Sequence, residues 1–279
     1  MNIMRSLVYS NVLISLSGVG MALFTQLLAG FPISIYPLFI AFVMPMVVYN
    51  LNRLTDIEED KVNVPDRTQF VEKYSKYLAI ISICAYIVGL VYAFTEDLQL
   101  FTLSLIYPGL GVIYSVFRTK KYLYVKNLIV GVAWGTIPIV TGSYYGEIFN
   151  NVVLFLFAFF TSSWFINTII FDIKDIEGDR AEGVRTVPNT YGLQSTKLIN
   201  LTLNVIISIL VILLAFSGLI PIEGLILLLL SGYITVYICI SEEDHGYWFY
   251  GIVVDGEYIF LCLSTIVLSY FHSMPTTIL

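Results

Sequence analysis

Apolar residues run through this chain in nine stretches, near 6–29, 32–52, 75–95, 98–117, 125–145, 151–171, 196–216, 219–240 and 249–270. An α-helix needs roughly 20 apolar residues to cross hydrocarbon. The interruptions between stretches are mostly tight: Gly30-Phe31-Pro32, Glu96-Asp97, Asn150-Asn151 and Gly218 to Pro221. The pattern predicts an all-α integral membrane protein with nine transmembrane helices in one bundle. Two connections break the rhythm. Residues 53–74 and 173–195 each span about 22 residues, long for a link between helices. They lie four helices apart, and both carry acids at helical spacing followed by Arg near Pro, in NVPDR at 63–67 and VRTVP at 184–188. This predicts two four-helix repeats, about 1–120 and 121–240, with a ninth helix at about 249–270, all within a single membrane-embedded domain over 1–279. Membrane proteins built from internal repeats often place the shared site between the halves.

Composition agrees with this reading. The chain is 58% hydrophobic and 12% charged, with mean hydropathy +0.85. A soluble domain carries charge on roughly a quarter of its residues, so the missing polar shell implies lipid as the solvent. No short cleavable leader stands apart from the first apolar run, which is read as a retained span. Cys84, Cys239 and Cys262 sit inside apolar runs and read as small hydrophobes. His245 and His272 have no partner pattern for metal or base work.

The distribution of charge says more than the net value of −6. Arg5 precedes the first span; Arg53, Lys61, Arg67, Lys73 and Lys76 follow the second; Arg118, Lys120, Lys121 and Lys126 follow the fourth; Lys174, Arg180, Arg185 and Lys197 follow the sixth. These are all 14 of the chain's Lys and Arg residues. Loops on the other side carry only acids: Glu96, Asp97, Glu147 and Glu223. By the positive-inside rule the N-terminus and both long loops face the cytoplasm, and the C-terminus lies outside. No nucleic-acid partner is expected.

The long loops carry the candidate chemistry. In NLNRLTDIEED at 50–60, Asn52, Asp56 and Asp60 recur every fourth residue and share one helix face, while Glu58 and Glu59 turn toward water. In FDIKDIEGDR at 171–180, Asp172, Asp175 and Asp179 recur at i, i+3 and i+7, again on one face. Stacked carboxylates repel, and two such stripes at equivalent points of two halves call for a cation between them. Mg²⁺ suits hard oxygen ligands and usually shares its sphere with water and substrate phosphates. On the same side, Arg67, Arg118, Lys120, Lys121 and Lys126 offer donors for phosphate oxygens and for a leaving diphosphate. A water-excluding apolar cavity beside a magnesium diphosphate site is what prenyl transfer requires, because the allylic carbocation must not meet water. Aromatic residues of the middle helices, Tyr114, Trp134, Tyr144, Tyr145, Trp164 and Phe165, offer π faces to such a cation.

The motifs N-x-x-x-D-x-x-x-D after the second span and D-x-x-D-x-x-x-D after the sixth, on nine helices, resemble those of the UbiA superfamily of intramembrane prenyltransferases. DIKDIEGDRAEGVRTVPNTYG at 172–192 is the closest local likeness. The resemblance implies Mg²⁺-dependent transfer of a prenyl group from a polyprenyl diphosphate to a lipophilic acceptor, an aromatic quinone precursor or a glycerol-phosphate lipid. It implies Asn52, Asp56, Asp60, Asp172, Asp175 and Asp179 as holders of Mg²⁺ and diphosphate, with Asp56, Asp60, Asp175 and Asp179 as the catalytic centre. Arg67, Tyr114 and Lys126 carry over as diphosphate contacts. The chain departs from the pattern at Arg53, where many relatives have Asp, and in its first helix, which reads RSLVYSNVLIS.

Asp255 and Glu257, in VVDGEYIF, stand apart from both motifs. Acids at membrane depth are costly and mark functional sites by default. They admit two readings: a proton, ion or acceptor site inside the ninth helix, or an interfacial position beside Glu242, Glu243 and Asp244. A transporter or cation channel built on Asp255 and Glu257 is the alternative function, disfavoured because nearly all charge sits on one face.

Overall fold

The structure, a computed structural model, describes residues 3–55, 65–116, 122–181, 183–246 and 249–273. Asp56, Asp60, Lys120 and Lys121 lie outside these residues, as does the side chain of Arg67. Every regular element among the described residues is helical: α1 (Ile3–Tyr9), α2 (Val12–Leu28), α3 (Ile35–Thr55), α4 (Pro65–Glu96), α5 (Leu98–Ser104), α6 (Ile106–Val116), α7 (Val125–Tyr144), α8 (Asn151–Phe171), α9 (Ile176–Ala181), α10 (Val187–Tyr191), α11 (Leu193–Phe216), α12 (Leu227–Ile240) and α13 (Glu257–Ser273). Short 3₁₀ turns cover Asp172–Asp175 and Ile222–Ile226, and a π-helical turn covers Phe249–Val254.

Among the described residues, six helices are long and apolar enough to cross a membrane: Ile35–Leu54, Glu72–Glu96, Val125–Tyr144, Asn151–Arg180, Leu193–Phe216 and Ile222–Ile240. The other three apolar runs are interrupted, each for a local reason. The first breaks at Asn11, whose φ of 61° is left-handed, a conformation that Asn tolerates better than most residues. Its amide donates to Asn50 Oδ1 of α3 at 2.9 Å, so the break is bonded inside the bundle. The fourth breaks at Leu105, between α5 and α6. Pro108 has no N–H for Ser104 O, and the Tyr86 hydroxyl donates to that carbonyl instead at 2.9 Å. The ninth opens with the π turn and reaches regular α-helix only at Glu257. Where they are described, the two long connections also carry helix. α4 begins at Pro65, where proline's fixed φ and missing N–H suit a first helical residue. Residues 172–191 fold into the 3₁₀ turn, α9 and α10.

Lipid as solvent explains which faces are apolar. On α4, Ile87, Val88, Val91 and Phe94 are exposed, and on α11 so are Leu198, Val205, Ile206, Leu213 and Phe216. The buried positions include polar Gln26, Asn50, Asn127, Asn167, Asn200 and Asn204. Between helices in lipid, burial of apolar surface gives little drive, and close packing with internal hydrogen bonds takes over. Asn204 illustrates this by donating to Ser231 O and Thr235 Oγ1 of α12, at 2.8 and 2.9 Å.

The tightest packing joins α7 to α8. Gly131 and Gly135 lie one turn apart on α7. A Cβ on Gly131 would fall 2.5 Å from Thr161 O, and one on Gly135 would fall 2.0 Å from Thr161 Oγ1 and 2.9 Å from Phe157 O. Backbones this close need glycine. α2 and α3 meet in the same way. Pro45 leaves Ala41 O without its usual helical donor, and that carbonyl lies 2.1 Å from where a Gly18 Cβ would be.

Gly135→Val should therefore force α7 and α8 apart. The expected cost is about 1–3 kcal/mol, read as a lowered Tm of the detergent-solubilised protein. Gly232→Ala, in α12 with nothing within 4 Å of the added methyl, should leave Tm unchanged or raise it.

Candidate active site

The α7–α8 contact places the start of α7 against the end of α8. Tyr124 turns the chain into α7 with φ 66°, so that Lys126 and Asn127 occupy its first turn. Asp172 follows directly after α8. Lys126 Nζ lies 2.7 Å from Asp172 Oδ1, and Asn127 Nδ2 donates to Asp172 Oδ2 at 3.1 Å and to Thr168 Oγ1 at 3.2 Å. Asp172 is 5% exposed. A carboxylate this buried is tolerated only with a close cation and its remaining lone pairs bonded. Both conditions are met.

The 3₁₀ turn over Asp172–Asp175 alters the expected stripe. With three residues per turn, positions i and i+3 eclipse, so Asp175 stacks directly beyond Asp172. Asp175 Oδ2 pairs with Lys174 Nζ at 2.5 Å. Asp179, on α9, is half-buried; its Oδ2 is enclosed and has no hydrogen-bond partner among the described residues, although Thr186 lies nearby.

Beside this turn lies a cavity of about 1010 Å³. Asp172, Asp175, Lys126 and Tyr114 line it, together with Arg53, Lys174, Asn127, Asn167 and Asp255. Asn52 borders a smaller apolar chamber of about 120 Å³, which shares Tyr49, Tyr114 and Val130 with the large cavity. Asp179 is not among the lining residues of either. The walls are aromatic. Trp164 faces the large cavity and Trp134 the small one, and their rings stack at 3.8 Å and 8° across the α7–α8 seam. Trp134 Nε1 donates to Tyr49 Oη at 3.3 Å. The arrangement combines five carboxylates, Glu243 and Asp244 among them, and three cations with an apolar, aromatic interior.

Sequence pattern did not single out Asn127, Asn167 or Lys174. Asn127 lies next to a candidate lysine and Lys174 lies within the second motif, but a single Asn or Lys carries no periodic signal. Glu257 is fully buried and does not line the cavity; its Oε2 accepts from Tyr237 Oη at 2.8 Å. Asp255 and Glu257 therefore do not form one path.

The carboxylates of the second motif fit a hard divalent cation. They supply oxygen donors one turn apart, and the enclosed Asp179 Oδ2 lacks a donor of its own.

A family model, that of the UbiA prenyltransferase family, matches residues 12–248. The chain belongs to this family. Among individual relatives, it is 34% identical over 146 residues to a digeranylgeranylglyceryl phosphate synthase of Methanococcus aeolicus, covering 52% of this chain and 51% of that protein. It is 28% identical over 188 residues to the protein of that name from Methanosphaera stadtmanae, covering 67% and 68%. The first alignment thus spans about half of its relative's length. In three dimensions the chain superposes on a UbiA homolog from Aeropyrum pernix K1 with TM-score 0.73 and 15% identity, over 92% of this chain and 98% of that one. A UbiA homolog from Archaeoglobus fulgidus, solved bound to GPP and Mg²⁺, superposes with TM-score 0.63 and 14% identity, over 94% and 99%. At these identities the likeness is one of fold.

Lys126→Met would leave Asp172 buried without its cation. The expected cost is about 3–5 kcal/mol, seen as a lower Tm in detergent. Adding Asp172→Asn to it should restore most of the loss, because an amide does not require the ammonium.

Proposed function

We propose that the chain is a nine-helix membrane prenyltransferase. It uses Mg²⁺ to transfer a geranylgeranyl group from its diphosphate to a glyceryl phosphate already carrying one such group. The observation that carries this reading is the single cavity in which paired carboxylates and lysines meet aromatic, apolar walls. Family membership supplies the reaction class, and the name of the digeranylgeranylglyceryl phosphate synthase relatives supplies the acceptor. The shorter apolar helices Val12–Leu28, Leu98–Tyr114 and Phe260–Tyr270 support nine crossings. The distribution of basic residues supports a cytoplasmic side for the N-terminus and both acidic motifs. The whole chain acts as one domain, its two halves sharing the site.

In this reading Asp175 and Asp179 hold Mg²⁺ from the second motif, and Asn52, Asp56 and Asp60 hold it from the first. Asp172 contributes the pair with Lys126, which fixes an ammonium at the cavity's edge. When bound, Mg²⁺ offsets the charge of the diphosphate and of its departure. Lys126, Arg67, Lys120 and Lys121 surround the outer phosphate oxygens, and Tyr114 lies at the junction of the two chambers. The C1–O bond to diphosphate breaks, and the aromatic wall of Tyr49, Tyr114 and Trp164 faces the allylic cation. The acceptor oxygen then closes on C1. The bilayer delivers both lipophilic substrates sideways, and the apolar walls keep water from the cation.

The test uses the protein in lipid nanodiscs with geranylgeranyl diphosphate, Mg²⁺ and geranylgeranylglyceryl phosphate, with product followed by mass spectrometry. Asp175→Asn and Asp56→Asn should each lower transfer by on the order of 10²–10³, the scale of losing one transition-state stabilising group. Both variants should remain folded, and chelation of Mg²⁺ should abolish product in the wild type. Full activity in either variant would reject the site.

A further inference from the structure

We propose that Asp255 takes the proton from the acceptor's hydroxyl as the prenyl group is transferred. This inference rests on the reading above and assigns a residue outside both acidic motifs.

Asp255 sits at the joint between the π turn (Phe249–Val254) and α13. It is half-buried and lines the same cavity as Asp172, Asp175 and Lys126. The joint is pinned from several sides. Asp255 N donates to Tyr250 O at 3.1 Å, five residues back, which closes the widened turn. Tyr233 Oη donates to Val253 O at 2.6 Å, and Asn167 Nδ2 of α8 donates to Val254 O at 3.3 Å. Gly256 is required here: a Cβ would fall 2.3 Å from Ile252 O and 2.9 Å from Tyr233 Oη. π turns recur at functional sites because they displace a side chain from the regular helical register. Here the displaced residue is Asp255, with the Asn167 side chain beside its carboxylate.

The other carboxylates on this cavity are committed elsewhere. Asp172 is held by Lys126 and Asn127, and Asp175 by Lys174. Glu243 and Asp244 are exposed to water. Glu257, off the cavity, accepts from Tyr237 and acts on Asp255 as a nearby like charge. Among the described residues, no Lys or Arg forms an ion pair with Asp255. A half-buried carboxylate without a cation of its own, facing a cavity that also presents diphosphate-binding groups, is suited to receive a proton.

The chemistry balances. The C1–O bond of the allylic diphosphate breaks, and diphosphate leaves with the electron pair. The acceptor's hydroxyl oxygen bonds to C1, and its proton passes to an Asp255 carboxylate oxygen and then to water. The products are the ether, diphosphate and one proton. The acceptor class is an alcohol on a lipid, here the free hydroxyl of a monoalkylated glyceryl phosphate.

The test compares wild type, Asp255→Asn and Asp255→Glu in nanodiscs with geranylgeranyl diphosphate, Mg²⁺ and geranylgeranylglyceryl phosphate. Three quantities are read: kcat and acceptor KM for transfer, Mg²⁺-dependent affinity for geranylgeranyl thiodiphosphate, and diphosphate release without acceptor. Asp255→Asn should lower kcat by about 10²–10⁴, the usual contribution of a general base. Its acceptor KM, thiodiphosphate affinity and acceptor-free diphosphate release should stay near wild type. Asp255→Glu, which keeps a carboxylate, should recover part of the lost kcat. Three results overturn the assignment alone: unchanged kcat in Asp255→Asn, a raised KM with unchanged kcat, or loss of thiodiphosphate binding together with transfer. A wild type that binds thiodiphosphate yet alkylates no glyceryl phosphate overturns the proposed function, and this assignment with it.

Discussion

The close approach of α7 and α8 is the constraint on which the rest of the site depends. Gly131 and Gly135 let the two backbones meet around Thr161, and the arrangement at the acidic-motif end follows from that register. It brings Lys126 and Asn127 onto Asp172, stacks Trp134 on Trp164, and turns Trp164 and Asn167 toward the cavity. A wider spacing would leave Asp172 buried without its cation, an arrangement that low-dielectric surroundings punish heavily. Packing and electrostatics are therefore one interaction, with small residues allowing the distance at which the ion pair is favourable.

Lipid imposes the second organising condition. Each break in a helix must be bonded from within, since hydrocarbon supplies no donors. Asn11 bonds Asn50, Tyr86 takes up Ser104 O, and Tyr233 and Asn167 take up the carbonyls of the π turn. The breaks cluster where the cavity needs shape: Asn11 and Asp255 both line it. At the opposite end the bundle is closed by Gln26 Oε1, which accepts from Ser34 N at 2.6 Å and Tyr145 Oη at 2.8 Å. Irregular backbone thus appears beside the site, where side chains within the protein can satisfy it.

The acidic motifs were legible because period and composition are local properties. Asp172, Asp175 and Asp179 recur at helical spacing after a long apolar run, and no packing is needed to see that. In the structure the 3₁₀ turn aligns Asp172 with Asp175 on the cavity, and Asp179 lies just beyond its lining, within electrostatic reach of both and of Lys126. Nothing in the sequence distinguishes a 3₁₀ from an α turn here; the docking of residues 172–191 decides it. Lys126 was read as a diphosphate contact and Asp172 as a metal ligand, and their contact with each other joins residues 46 positions apart, outside the reach of any periodic pattern. Six long apolar helices among the described residues, beside three shorter ones, reflect Asn11, Pro108 and the π turn. A hydropathy window averages over such interruptions.

The sequence by itself determined that the chain lives in lipid and where its apolar runs lie, and it set two acid-bearing segments after such runs. Each of these depends on short-range composition, which the bilayer reads directly as solvent. Tertiary structure alone decided which carboxylates meet which cations, and it put Asp255 on the cavity wall and Glu257 off it. Two residues apart on a chain, those acids carry the same signal. A π turn with Gly256 at its end faces one into the cavity and the other onto Tyr237, because backbone direction over a few residues is set by what packs against it.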